Sequence, residues 1–182
     1  MKKIKRVVLV QPNMKWMDWN WKTSWDIHPL NLCLLGAMIQ SDYDVTVLDA
    51  NLENYTREQF KQAIKNLDPD LVGLTLLTNE YSEVAHIGAQ LVRDVDPEIV
   101  TVLGGVYATV SYNAIYKDTN FDYICVGEGE HSFPELLKYL RGEGEFPREG
   151  FLGRLEGELK DPSKVVRTLI EDLDALPSPA WN

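Results

Sequence analysis

Apolar and polar positions alternate along the chain in blocks of two kinds. Residues 6–10 carry the continuous apolar run Val7-Val8-Leu9-Val10, as in a strand buried on both faces. Similar short runs recur at 45–48, 71–77, 99–103 and 123–126. Between them lie helical patterns. Residues 29–40 place Leu30, Leu34, Ala37, Met38 and Ile39 on a buried helix. Thr56, with Gln59 three positions on, forms a capping box that opens the next helix, and Asp68-Pro69-Asp70 closes it. A long helix spans 80–95 and stops at Asp96-Pro97, and a short one covers 111–117. Residues 133–140 form an amphipathic helix with Pro134 in its first turn.

Strands alternating with helices imply an α/β, doubly wound, Rossmann- or flavodoxin-like five-stranded parallel sheet, with the order 2-1-3-4-5 and a C-terminal extension. The extension starts at residue 143, so 1–142 reads as the domain and 143–182 as a hairpin and linker. Residues 142–157 are rich in Gly and Glu, and 151–159 suit a short hairpin. The stretch from Asp172 to Trp181 is extended and stiffened by Pro177 and Pro179, and its apolar residues need a partner surface.

The 182 residues are 45% apolar, enough for one sizeable core. A net charge of -10, dispersed along the chain, disfavours nucleic acid and mainly serves solubility. No apolar run approaches the roughly 18 residues of a membrane span. The basic start, Met1 to Arg6, precedes only four apolar residues before Gln11-Pro12-Asn13, which suits a cytoplasmic first strand better than a signal peptide. Cys33 and Cys125 lie in apolar segments and read as buried thiols of a reducing compartment. Two cysteines cannot supply a three-cysteine iron–sulfur motif.

Ligands of open parallel sheets bind outside the carboxyl ends of the strands. After strand one there is neither a Gly-x-Gly-x-x-Gly fingerprint nor a Walker lysine loop. Strand three ends Leu76-Leu77-Thr78, without the acceptor aspartate of a phospho-receiver. Trp16, Trp19, Trp21 and Trp25 crowd the first loop, where they either pack over the sheet or wall a flat apolar ligand or domain interface. Thr78 and Asn79 can cap the following helix or hydrogen-bond a polar ligand. Gly104-Gly105 and Gly127-Glu128-Gly129 follow consecutive strands, so bare backbone at two neighbouring strand ends suggests one wide ligand surface.

The stretches Val102-Leu103-Gly104-Gly105-Val106-Tyr107-Ala108-Thr109 and Asp122-Tyr123-Ile124-Cys125-Val126-Gly127-Glu128-Gly129-Glu130 resemble the N-terminal cobalamin-binding domain of cobalamin-dependent radical-SAM proteins. The resemblance extends to His28-Pro29-Leu30-Asn31-Leu32, Val47 to Ala50, Pro69 to Gly73 and Leu176 to Trp181, and covers nearly the whole chain. It implies a corrin over the carboxyl edge of the sheet and a dimethylbenzimidazole tail entering beside strands three to five. Thr75, Thr78 and Asn79 would contact that tail, with Gly104, Gly105, Tyr107 and Ala108 opposite, and Gly127, Glu128 and Gly129 closing the far side. Glu128 would accept hydrogen bonds.

The Asp-x-His-x-x-Gly motif that places histidine on cobalt is absent, and His28, His86 and His131 lack its context, with His86 expected at the surface of a helix. The resemblance thus implies base-off cobalamin without a histidine ligand. The metal's lower ligand is left open, with Tyr107 and the loop near Asn13 as candidates. In the family, an iron–sulfur cluster and S-adenosylmethionine belong to a following radical-SAM domain, in cis or in trans. The chain is then a cobalamin module of a methyltransferase-like enzyme, not catalytic by itself. Alternatives are a stand-alone cobalamin carrier or sensor, or a nucleotide-binding or protein-interaction domain. Phosphates would be repelled by Glu128 and Glu130 in the last case.

Overall fold

A computed structural model describes residues 4–17, 28–155 and 157–180. Its elements, in order, are β1 (Arg6–Gln11), α1 (Leu30–Ile39), β2 (Asp44–Asp49), α2 (Arg57–Leu67), β3 (Leu71–Thr75), α3 (Ser82–Val95), β4 (Val100–Gly104), α4 (Gly105–Ile115), β5 (Tyr123–Cys125), α5 (Ser132–Leu140) and β6 (Phe151–Leu152). They build one sheet in the order β2-β1-β3-β4-β5-β6. The first five strands run parallel, as expected, and β6 joins antiparallel at the edge through Ile124–Leu152 and Cys125–Phe151.

The period-two geometry of the strands divides the core in two. Val8, Val10, Val72, Leu74, Leu103 and Ile124 pack under Phe60 and Ile64 of α2, Val84, Ala89 and Val92 of α3, and Ala108 and Ile115 of α4. On the opposite face Val7, Leu9, Leu71, Val102, Tyr123 and Cys125 meet Leu32 and Ile39 of α1 and Phe133, Leu136 and Leu137 of α5. Among the described residues, two helices therefore cover one face and three the other.

Local signals behave as their chemistry dictates. Thr56 and Gln59 form the reciprocal capping box, and Asp68 ends α2 in a left-handed conformation. At the amino edge the Asp70 carboxylate accepts the Lys5 and Arg6 N–H groups at 2.9 Å, tying β3 to β1.

Two expectations change. The helix expected at 111–117 begins at Gly105, directly after β4. Val106, Tyr107, Thr109 and Val110 are weak helix formers, but burial of Tyr107 and Ala108 against the sheet overrides that propensity. The segment expected as a hairpin at 151–159 folds back through the Gly153 N–H to Leu159 O at 3.0 Å, and in addition lends Phe151 and Leu152 to the main sheet, where both are fully buried.

Residues beyond β6 return to the domain. Thr168 pairs with Gly127, Gly150 donates its N–H to Val166 O at 2.8 Å, and Ala180 donates to Cys33 O at 3.0 Å. Glu158 holds the loop after β6. Its carboxylate accepts the Tyr123 and Tyr139 hydroxyls at 2.8 and 3.0 Å and the Arg154 and Leu155 N–H groups at 2.7 and 2.6 Å.

Candidate functional site

The face carrying α1 and α5 has fewer helices than it needs to cover β3 and β4 fully, and the strands meet that seam with small residues. Successive outward positions are Gly73 and Thr75 on β3, Gly104 on β4 and Cys125 on β5. Above them lies a cavity of about 430 Å³, open at the carboxyl edge of the sheet. That size suits a drug-sized organic ligand. Leu9, Val102 and Cys125 line its base, Asn31, Leu32 and Leu35 its α1 side, and Gly129, Glu130 and Phe133 its α5 side. Gln11, Met14, His28, Leu77, Tyr81, Val106 and Arg167 stand around it nearer the strand ends.

The glycines divide into two groups with different physical jobs. Gly105 has φ +88°, and a Cβ there would lie 2.6 Å from Leu76 O; Gly127 has φ +102°, and a Cβ there would lie 2.4 Å from Thr168 O. The protein's own backbone requires these two. Gly104 is extended, and a Cβ there would meet Cys125 Cβ at an ordinary 3.7 Å. At Gly129 a Cβ would meet Cys125 Sγ at 3.4 Å. Gly104 leaves space in the cavity, whereas Gly129, whose Cβ would also touch Leu35 and Phe133, lets its turn sit close against the cavity wall.

Polar groups are sparse and specific. Asn31 Nδ2 donates to Thr75 Oγ1 at 3.0 Å. Thr109 Oγ1 donates to Gly105 O and accepts the Gly127 N–H, both at 3.0 Å, so it latches α4 to the turn after β5. The Glu128 carboxylate accepts the Ile170 N–H. Glu130 Oε2 is buried without a hydrogen-bond partner. Burial first, and the Glu130 carboxylate second, push the Cys125 thiol up to about 12, so it is a neutral wall group.

Seven residues singled out in the sequence meet at this cavity: Thr75, Thr78, Gly104, Gly105, Gly127, Glu128 and Gly129. Four do not line it. Asn13 is buried below the first loop, accepting Lys15 N–H and donating to Tyr55 O, both at 3.0 Å. Asn79 accepts from Ser111 Oγ at 3.2 Å. Ala108 is fully buried in the opposite core. Tyr107 also turns to that side, its hydroxyl 3.0 Å from His86 Nε2, while His86 Nδ1 pairs with Asp118. His86 is therefore half-buried and bonded, not a free surface group. Trp16 is core, donating to Tyr55 O at 2.8 Å, whereas Trp19, Trp21 and Trp25 lie outside the described residues.

Asn31, Glu130, His28 and Arg167 reach the cavity without having been picked out as site residues. Asn31 is betrayed by a polar residue inside an apolar helix. Arg167 had no local signal, because its position follows from the returning tail.

An open α/β sheet with a cleared slot at its carboxyl edge defines a small-molecule binding domain of the doubly wound class. The chain belongs to the B12 binding domain family, whose profile matches residues 22–137. It is 30% identical over 159 residues to an uncharacterized methyltransferase of Pyrococcus horikoshii, covering 85% of this chain and 33% of that protein. An anaerobic magnesium-protoporphyrin IX monomethyl ester cyclase of Rubrivivax gelatinosus is 31% identical over 186 residues, covering 97% of this chain and 32% of the cyclase. In fold it resembles the cobalamin-dependent S-adenosylmethionine radical enzyme OxsB with aqua-cobalamin bound, with TM-score 0.71, 18% identity, and coverage of 98% of this chain and 24% of OxsB. The chain thus spans about a third of the length of the curated relatives it matches. Among the described residues, no helix is long and apolar enough to cross a membrane, and no cluster of His, Cys, Asp or Glu could hold a metal ion.

Proposed function

We propose that this domain holds cobalamin base-off, with the nucleotide tail in the cavity and the corrin across the strand ends, as a module of a radical-SAM methyltransferase-like protein. The observation that carries the reading is the slot itself, which side chains leave open at Gly104. A flat heterocycle suits it. Leu32, Leu35, Val102 and Phe133 offer apolar walls, and Asn31, Thr75 and Thr78 offer hydrogen-bonding groups. Leu77 and Val106, 53% and 49% exposed at the rim, suit the apolar underside of a corrin.

Bound cobalamin would supply a cobalt centre able to carry a methyl group. This chain's residues bind and orient it. A lower face without a histidine ligand is supported by the absence of the Asp-x-His-x-x-Gly motif. Cys33 and Cys125 are both buried free thiols, so the iron–sulfur cluster and S-adenosylmethionine are assigned to a radical-SAM domain, in cis or in trans. The greater length of the curated relatives supports that partner.

The test is gel filtration after incubation with hydroxocobalamin. Co-migrating corrin absorbance with the spectrum of the base-off form is expected. Elution free of corrin overturns the assignment, and a base-on spectrum overturns the placement of the tail.

A further inference from the structure

Three buried side-chain polar atoms among the described residues lack a hydrogen-bond partner: Tyr43 Oη, Arg141 Nε and Glu130 Oε2. The first two belong to one stack, with the Arg141 guanidinium 5.2 Å above the Tyr43 ring. Glu130 stands apart, beside the cavity. Its turn is wedged between three elements, since a Cβ on Gly129 would lie 3.4 Å from Cys125 Sγ, 3.6 Å from Leu35 and 3.9 Å from Phe133. The other buried or lining carboxylates among the described residues have work within the protein: Glu128 takes the Ile170 N–H, Asp70 the Lys5 and Arg6 N–H groups, and Glu158 four donors. A buried carboxyl oxygen with no donor is a cost to the ligand-free fold. Stability surrendered at one point in a cavity marks a group placed for a ligand.

We propose that Glu130 reads the nucleotide tail, taking the hydrogen bond that distinguishes cobalamin from the same corrin lacking its nucleotide. The inference rests on the cobalamin reading above. The tail carries donors suited to a carboxylate, namely ribose hydroxyls and the base nitrogen when protonated. Its phosphodiester suits the opposite charge, and Arg167, on the exposed returning tail, lines the cavity. Glu130 stands among the apolar walls, where a flat base fits and a corrin does not.

The experiment titrates the wild-type chain and Glu130→Ala with hydroxocobalamin and with cobinamide, which keeps the corrin and lacks the tail. The wild type is expected to prefer cobalamin. Glu130→Ala should weaken cobalamin about ten- to hundredfold, the loss of one hydrogen bond to a charged group. It should leave any cobinamide binding unchanged, and the unfolding midpoint of the ligand-free protein should not fall. Should that midpoint fall, Glu130→Gln, which keeps the shape, replaces it in the same titration. Equal wild-type affinity for both corrinoids, or unchanged cobalamin affinity in the variant, overturns the role of Glu130. No binding of either corrinoid by the wild type overturns the cobalamin reading instead.

Discussion

Gly104 and Gly105 are adjacent, yet substituting them should damage different properties. The backbone at Gly104 is extended (φ -130°, ψ -170°), a conformation open to any residue, and the nearest atom to a new Cβ is 3.7 Å away. Gly104→Ala should therefore stabilise the ligand-free domain by about 0.4–1 kcal/mol, through the lost freedom of the unfolded chain. Gly104→Val puts an isopropyl group on the wall of the 430 Å³ cavity. If the tail must share that space, overpacking of about 1–3 kcal/mol is expected on binding, or about fivefold to 150-fold weaker affinity. Gly105→Ala meets a positive φ and a carbonyl oxygen at 2.6 Å. It should destabilise the fold by about 1–3 kcal/mol whether or not ligand is present. Visible-absorbance titration with hydroxocobalamin, paired with thermal unfolding of the ligand-free proteins, reads both quantities. Wild-type affinity in Gly104→Val, or equal loss of stability in the two variants, would refute the assignment of Gly104 to ligand space.

Other consequences are as specific. His28→Ala should leave the spectrum and the cobalt paramagnetic resonance signal of the bound chain unchanged; loss of a nitrogen coupling on that substitution would make His28 a ligand. Glu158→Ala strands two tyrosine hydroxyls and two backbone N–H groups, so it should cost about 3 kcal/mol and lower the unfolding midpoint by about 6–12 °C. An unchanged midpoint would contradict the role of Glu158 as an anchor. Cys125 titrates at about 12 in the fold against 9.0 ordinarily, because burial disfavours its thiolate. The stability it contributes is thus complete below pH 9 and lost as pH rises from there towards 12. Thermal unfolding of wild type and Cys125→Ala across that window should show a steeper alkaline decline in the wild type, and parallel curves would exclude the effect.

The framework of strands and helices follows from patterns local to the chain. Runs such as Val7 to Val10 are apolar at every position because both faces of a parallel strand are buried, and that pattern is local. Thr56 with Gln59 and the break at Asp68 likewise act within one turn of chain. The motif around Gly104 to Thr109 was legible as a motif, but its residues divide by direction, which one-dimensional order does not reveal. Gly104 and Thr109 line the slot, while Tyr107 and Ala108 face the opposite core because a helix turns its successive side chains through about 100°. Tertiary structure alone decided which glycines serve the backbone and which clear space, since that depends on Leu76, Thr168 and Cys125 brought in from elsewhere. It also turned an apparently polar extension into a sixth strand with a buried Glu158, and set Arg167 beside the cavity. Partners distant in the chain settle those questions, because a carboxylate or an arginine looks the same in sequence whether its donors are water or four groups of a folded core.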